Sequence, residues 1–178
     1  IIAGVVAGNG ALIERIRTIA LKHIGAPMGP QEAYLLQRGV KTLPLRMEAH
    51  MYAAQKIAEF LRQHPKVERV FYPGLPDHPG HQVLQETATG YGGMVALELA
   101  GGFASAALLL DHLQLFAQAV SLGDLESLAC HPASTTHAAM TATDRIKSGV
   151  SDKLVRLSIG IEDVEDLIAD LSQALDLL

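Results

Sequence analysis

Apolar residues along this chain change their period near residue 66. Before that point they recur every three or four positions. After it, short extended runs alternate with helical ones. Leu12, Ile13, Ile16, Ile19, Ala20 and Ile24 share helical spacing, and Gly25 is placed to end that helix. Ahead of it, residues 3–8 (Ala-Gly-Val-Val-Ala-Gly) predict a short buried strand. Gly29-Pro30-Gln31-Glu32 predicts a second helix start, with Pro30 at the first helical position. Its apolar residues, Ala33, Leu35, Leu36 and Val40, run towards Leu43. Pro44 restarts the helix, and Met47, Met51, Ala54, Ile57, Ala58 and Leu61 carry a third one that stops before Pro65.

Beyond residue 66, Val67–Tyr72 predicts a strand closed by Pro73-Gly74, with a polar loop from Leu75 to about Gln82. Gly92-Gly93 precedes a strand at Met94–Leu99, and Gly101-Gly102 precedes a helix at Phe103–Leu113. Leu115–Val120 and Leu154–Ile159 read as further strands. After Gly160, Val164, Leu167, Ile168, Leu171 and Leu175 mark one face of an amphipathic helix. Asp163, Glu165 and Asp166 lie near its start, where the helix dipole favours negative charge. Strands interleaved with helices predict an α/β or α+β layering. The chain contains no internal repeat and no low-complexity tract.

Composition narrows the function classes. Of 178 residues, 49% are apolar and 19% charged, enough for a sizeable core and too apolar for intrinsic disorder. Lys and Arg number 14 against 19 Asp and Glu, for a net charge of −5 with no basic block. That argues against a nucleic-acid partner. The single cysteine, Cys130, cannot form an internal disulfide and fits a reducing, cytoplasmic setting. No apolar run reaches the roughly 18 residues of a membrane span, and no leader pattern is present, so no membrane is expected. The chain opens on Ile1-Ile2-Ala3 without methionine, which suggests a piece of something longer.

Several candidate chemistries weaken on inspection. Gly8-Asn9-Gly10 lies between a strand and a helix, but a dinucleotide fingerprint needs a glycine where Ile13 stands. His78, His81, His131 and His137 lack the ligand spacing of a zinc site, so no metal is expected. Cys130 and His131 are adjacent in an extended segment and point to opposite faces, so a buried structural cysteine is the simpler reading. Arg156 is more informative. Alternation places Val155, Leu157 and Ile159 on one face of their strand and Arg156 with Ser158 on the other. A mid-strand arginine needs an anion, either a ligand carboxylate gripped by its planar fork or a structural Asp or Glu. Ser121 opens the turn Leu122-Gly123-Asp124, where hydroxyl and backbone groups can face a ligand.

Six segments in order carry a resemblance. They are Ala3-Gly4-Val5-Val6; Arg38-Gly39-Val40-Lys41-Thr42-Leu43 with Leu45-Arg46-Met47; Tyr72-Pro73-Gly74-Leu75; Ala119-Val120-Ser121-Leu122-Gly123-Asp124 with Glu126-Ser127-Leu128; His131-Pro132-Ala133-Ser134-Thr135-Thr136-His137; and Leu154-Val155-Arg156-Leu157-Ser158-Ile159-Gly160-Ile161-Glu162-Asp163. Together they resemble the C-terminal half of the pyridoxal-phosphate enzymes of cysteine and methionine metabolism, a family of lyases, synthases and sulfhydrylases.

The resemblance implies a type I pyridoxal-phosphate aminotransferase-like fold. Residues 1–43 would end the large cofactor-binding domain, and 44–178 would form an α+β substrate-side domain, entered by a linking helix at 44–64. Its cofactor is pyridoxal phosphate, held on a lysine in a Ser-x-Thr-Lys context. None of Lys22, Lys41, Lys56, Lys66, Lys147 and Lys153 has that context. The resemblance therefore puts the reactive lysine upstream of Ile1, leaves no cofactor-binding residue in this chain, and implies that the chain alone is inactive. Arg156 would pair with the substrate α-carboxylate, helped by Ser121 and the backbone at Leu122. Thr136 would line the pocket, and Lys22 matches a lysine near the substrate, although His23 follows it where the family's methionine-cleaving members have Asp. Val120 suits a thioether, which favours γ-elimination on a sulfur amino acid, methionine first, to thiol, ammonia and α-ketobutyrate. Cystathionine cleavage or synthesis and homoserine-ester sulfhydrylation are the alternatives, and Thr135 leans towards the last. A non-catalytic assembly or binding module is the alternative of another class. The implied partners are the N-terminal half of the same protein and further copies, as a dimer of dimers.

Overall fold

Asn9 opens the first helix by accepting the Ala11 N–H on its side chain at 2.9 Å. In the computed structural model, which describes residues 3–25 and 27–178, α1 (Gly10–Arg15) passes through a π-helical stretch (Ile16–Ala20) into α2 (Leu21–His23). Gly25, at φ +88°, follows its end. Pro30 sits in the first turn of α3 (Pro30–Val40), as its fixed φ favours. Residues 3–8 do not form the predicted strand. Val5 and Val6 are exposed, and a strand requires a pairing partner that the described part of this region, all helix and loop, does not supply.

Contacts divide the chain into two units, Ile1–Leu45 and Arg46–Leu178. The first contains no buried residue among those described. The second holds the core. In α4 (Leu43–Gln63), Ala53, Ala54, Ile57, Ala58 and Leu61 recur at helical spacing and are buried. They join Ala106, Leu109 and Leu110 of α6 (Phe103–His112) and Leu167, Leu171, Ala174 and Leu175 of α8 (Val164–Leu175) in one cluster.

That cluster lies on one face of a five-stranded sheet of order β1-β2-β5-β4-β3. Its strands are β1 (Val67–Phe71), β2 (Met94–Leu99), β3 (Ala117–Gln118), β4 (Leu128–Cys130) and β5 (Leu154–Ser158). The pairs β1/β2, β2/β5 and β4/β5 are antiparallel, whereas β3 runs parallel to β4. Val95, Leu97 and Leu99 of β2 and Val155 and Leu157 of β5 face the helices. The alternate residues, Arg156 and Ser158 among them, take the opposite face. The predicted strand at Leu115–Val120 shrinks to the two residues of β3. Both β4 and α5 (His81–Thr87) form in stretches with no predicted element or a predicted loop, and α7 (Ala142–Lys147) completes the unit. Among the described residues no helix is long and apolar enough to cross a membrane.

Candidate functional site

Arg156 lies in the middle of β5, between Ala96 of β2 and Cys130 of β4 in the ladder. Its Nη2 donates to the carbonyl oxygens of Val120 at 3.0 Å and Ser121 at 2.8 Å. Its Nε is buried and has no hydrogen-bond partner among the described residues. Ion pairs of the second unit include Arg62–Asp77, His64–Asp176, Arg145–Asp152 and Lys153–Glu68, and among the described residues Arg156 joins none. Of the two anions open to this arginine, a structural Asp or Glu is therefore not the one found. Two neutral carbonyls occupy one nitrogen of a five-donor cation and leave its charge uncompensated. An unmade bond to a buried N–H costs about 1–3 kcal/mol. The donor set that remains is planar and suits a carboxylate.

The loop that meets Arg156 is fastened by polar contacts. Val120, Leu122 and Leu125 are exposed, so apolar packing does little to fix it. The Gly123 N–H donates to Ser158 Oγ at 2.9 Å, and Gly123 adopts φ +77°, where a side chain would be strained. Further on, the Ile161 N–H donates to the Leu125 carbonyl at 2.9 Å. Glu162 accepts the Ser127 N–H at 2.6 Å and its hydroxyl at 2.9 Å, and Ser127 Oγ accepts the Gly160 N–H at 2.8 Å. A Cβ on Gly160 would lie 2.3 Å from the Leu125 carbonyl and 2.7 Å from the Ser127 nitrogen, so the crossing admits glycine alone. Before the loop, the Asp170 carboxylate accepts the N–H groups of Gln114, Leu115 and Phe116 at 2.8, 2.8 and 3.2 Å.

Of the residues singled out from sequence, the structure gathers Arg156, Ser121 and Leu122. Thr136 is exposed and hydrogen-bonds His137 Nδ1 at 2.8 Å. No bond joins it to Arg156 among the described residues. Lys22 lies on α2 in the first unit, exposed. Cys130 is buried, and burial pushes its thiol up, against weaker lowering by Arg156 and a hydrogen bond with Thr135. His131 is engaged elsewhere, bonding Ser134 Oγ at 2.8 Å and the Asp152 carbonyl at 2.9 Å. Thr135 donates to the His131 carbonyl at 2.7 Å. Ser158, Ser127, Glu162 and Asp170 are absent from the sequence-based set. Ser158 shares its strand face with Arg156, and Ser127 and Glu162 stand in segments that carry the resemblance, whereas Asp170 carried no signal.

A pyridoxal-phosphate seat needs a reactive lysine amine and a cluster of phosphate donors. None of the described lysines is buried, and Lys153 is taken by Glu68. The residues present do not fit the cofactor itself.

Residues 1–176 match the family model described as Cys/Met metabolism PLP-dependent enzyme. The chain is 51% identical over 177 residues to an L-methionine gamma-lyase of Fusobacterium nucleatum subsp. polymorphum, covering 99% of this chain and 45% of that protein. It is 50% identical over 176 residues to an L-methionine gamma-lyase of Pseudomonas putida, covering 98% and 44%. A cystathionine gamma-lyase of Dictyostelium discoideum is 47% identical over 175 residues, covering 98% and 45%. The chain thus spans less than half the length of these relatives. With a match that runs almost from end to end, it belongs to the pyridoxal-phosphate-dependent enzymes of cysteine and methionine metabolism.

Proposed function

We propose that the chain is the substrate-carboxylate side of a pyridoxal-phosphate-dependent carbon–sulfur lyase that performs γ-elimination on a sulfur amino acid, methionine first. One observation carries the reading. Arg156 holds its guanidinium against the Val120 and Ser121 carbonyls while its buried Nε–H has no partner. The relatives' names support the reaction class, and exposed Val120 beside the arginine supports a thioether over a second charged head group. When bound, the cofactor supplies the electron sink. This chain's part is orientation. Arg156 pairs with the α-carboxylate, the Ser121–Leu122 backbone lies against it, and Thr136 lines the same pocket; Lys22 is a further substrate-side residue of the proposal. Fixing a substrate in this way removes several kcal/mol of entropic barrier, of the order known for oriented reactants.

The same proposal includes a type I aminotransferase-like fold, with residues 1–43 ending the cofactor domain and 44–178 forming the smaller one. The break in contacts after Leu45 supports that division. It also includes the N-terminal half as partner, a homotetramer built as a dimer of dimers, a cytoplasmic setting, and no activity from these 178 residues alone. In the full-length enzyme, Arg156→Lys is expected to raise KM for methionine roughly ten- to hundredfold and leave cofactor absorbance intact. Loss of cofactor loading in that variant would make the arginine structural and overturn the reading. Release of α-ketobutyrate from methionine, cystathionine and O-acetylhomoserine, with and without sulfide, fixes the reaction. Elimination from methionine is expected to dominate, and dominant replacement by sulfide would overturn it.

A further inference from the structure

Arg156 and Ser158 lie two residues apart on one face of β5 and hold the same loop at different points. Arg156 binds the carbonyls of Val120 and Ser121, and Ser158 Oγ accepts the N–H of Gly123. Leu122 is bracketed between the two holds. Ser158 is 2% exposed, so its hydroxyl is not competing with bulk water, whereas residues 121–126 are all exposed and lack an apolar anchor. We propose that Ser158 is a positioning residue that fixes the Ser121–Gly123 backbone relative to Arg156 and thereby sets the affinity for the substrate carboxylate. The proposal rests on the carboxylate reading of Arg156 given above.

Removing the hydroxyl frees Gly123, a glycine at positive φ with wide backbone freedom. The far end of the loop stays fastened by Ile161 and Glu162, so the fold persists. A looser loop carries the two carbonyls away from Nη2, and the arginine fork loses its orientation. The effect is confined to ligands that present a carboxylate.

The test compares methionine with 3-(methylthio)propylamine, which keeps the amine and thioether and lacks the carboxylate. In the full-length enzyme, Ser158→Ala is expected to raise KM for methionine about tenfold, the consequence of one lost hydrogen bond at a buried site. The inhibition constant of the amine and the cofactor absorbance are expected to stay at their parent values, with kcat falling less than KM rises. Equal weakening of both compounds would mean a merely structural serine, and unchanged methionine binding would mean no role; either overturns the proposal. Should Ser158→Ala fail to fold, Ser158→Cys fills the site with a slightly larger and much weaker acceptor and carries the same comparison. Arg156→Lys is measured beside it. If that variant also fails to distinguish methionine from the amine, the carboxylate reading itself has failed. If only the serine variants fail to distinguish them, the positioning role alone falls.

Discussion

Tyr72 carries its phenol into the core of the second unit, 1% exposed, and donates to the Gly92 carbonyl at 3.0 Å. Burial, and to a smaller degree Tyr91 beside it, pushes its pKa up from 10.0 to about 12. The unfolded chain loses this proton near pH 10, and the folded chain holds it until about pH 12. The stability it contributes is therefore complete below pH 10 and drains away as pH rises to about 12, on the order of 3 kcal/mol in all. Tyr72→Phe is expected to cost about 1 kcal/mol at neutral pH, from the lost hydrogen bond, and to flatten the decline above pH 10. Urea unfolding of parent and variant across that range checks it, and an unaltered alkaline slope would contradict it. At this scale burial was readable from residue type, as with Cys130. The partners of Arg156 were not. Its acceptors are main-chain oxygens at positions 35 and 36 residues away, and a carbonyl leaves no mark on the identity of its residue.

Among the elements, α8 shows why periodicity locates helices better than it locates what they do. Val164, Leu167, Ile168, Leu171 and Leu175 announced an apolar stripe, and those residues pack in or against the core. Asp170 sits in the same helix, 6% exposed, and accepts three consecutive main-chain N–H groups from residues 114–116. This explains why β3 starts two residues later than predicted. Amides that a strand from Leu115 would pair along a ladder are claimed by a carboxylate instead. Other misses have equally local causes. All three residues of β4 are buried, so it shows no alternation, and α5 has no buried residue and hence no apolar face to announce it. Asp170→Asn keeps the shape but presents an amide donor to donors. It is expected to destabilise the fold by about 2–3 kcal/mol, as unsatisfied buried groups do, and to speed amide exchange at Leu115 and Phe116. Asp163→Ala removes only the cap in which Asp163 accepts the Glu165 N–H at 2.9 Å, for about 1 kcal/mol. Denaturant midpoints of the two variants check the ranking, and the reverse order would refute this account of α8.

At the scale of the whole chain, the two units differ in what could hold them folded. The second has a sheet covered by three helices that share one core. The first has no buried residue among those described, and Leu12, Ile19, Leu21, Ile24, Tyr34 and Val40 are all exposed. Its helices are α3, of 11 residues, and the run from Gly10 to His23 that a π-helical stretch interrupts. Helices shorter than about 12–15 residues are marginal in water unless an apolar face is packed. The helical pattern was legible here because local spacing survives without a partner, whereas the strand predicted at 3–8 did not form because strands cannot dispense with one. Under the proposal that residues 1–43 end a larger cofactor domain, the missing packing comes from the rest of that domain. Amide hydrogen exchange then has a definite expected outcome. In the 178-residue chain alone, amides of α1, α2 and α3 exchange near unprotected rates while those of β2, β5 and α8 are protected. In the full-length protein the same α1–α3 amides become protected. Protection of α3 in the isolated chain equal to that of β5 would show that the first unit stabilises itself, and the assignment of these residues to a larger domain would fall with it.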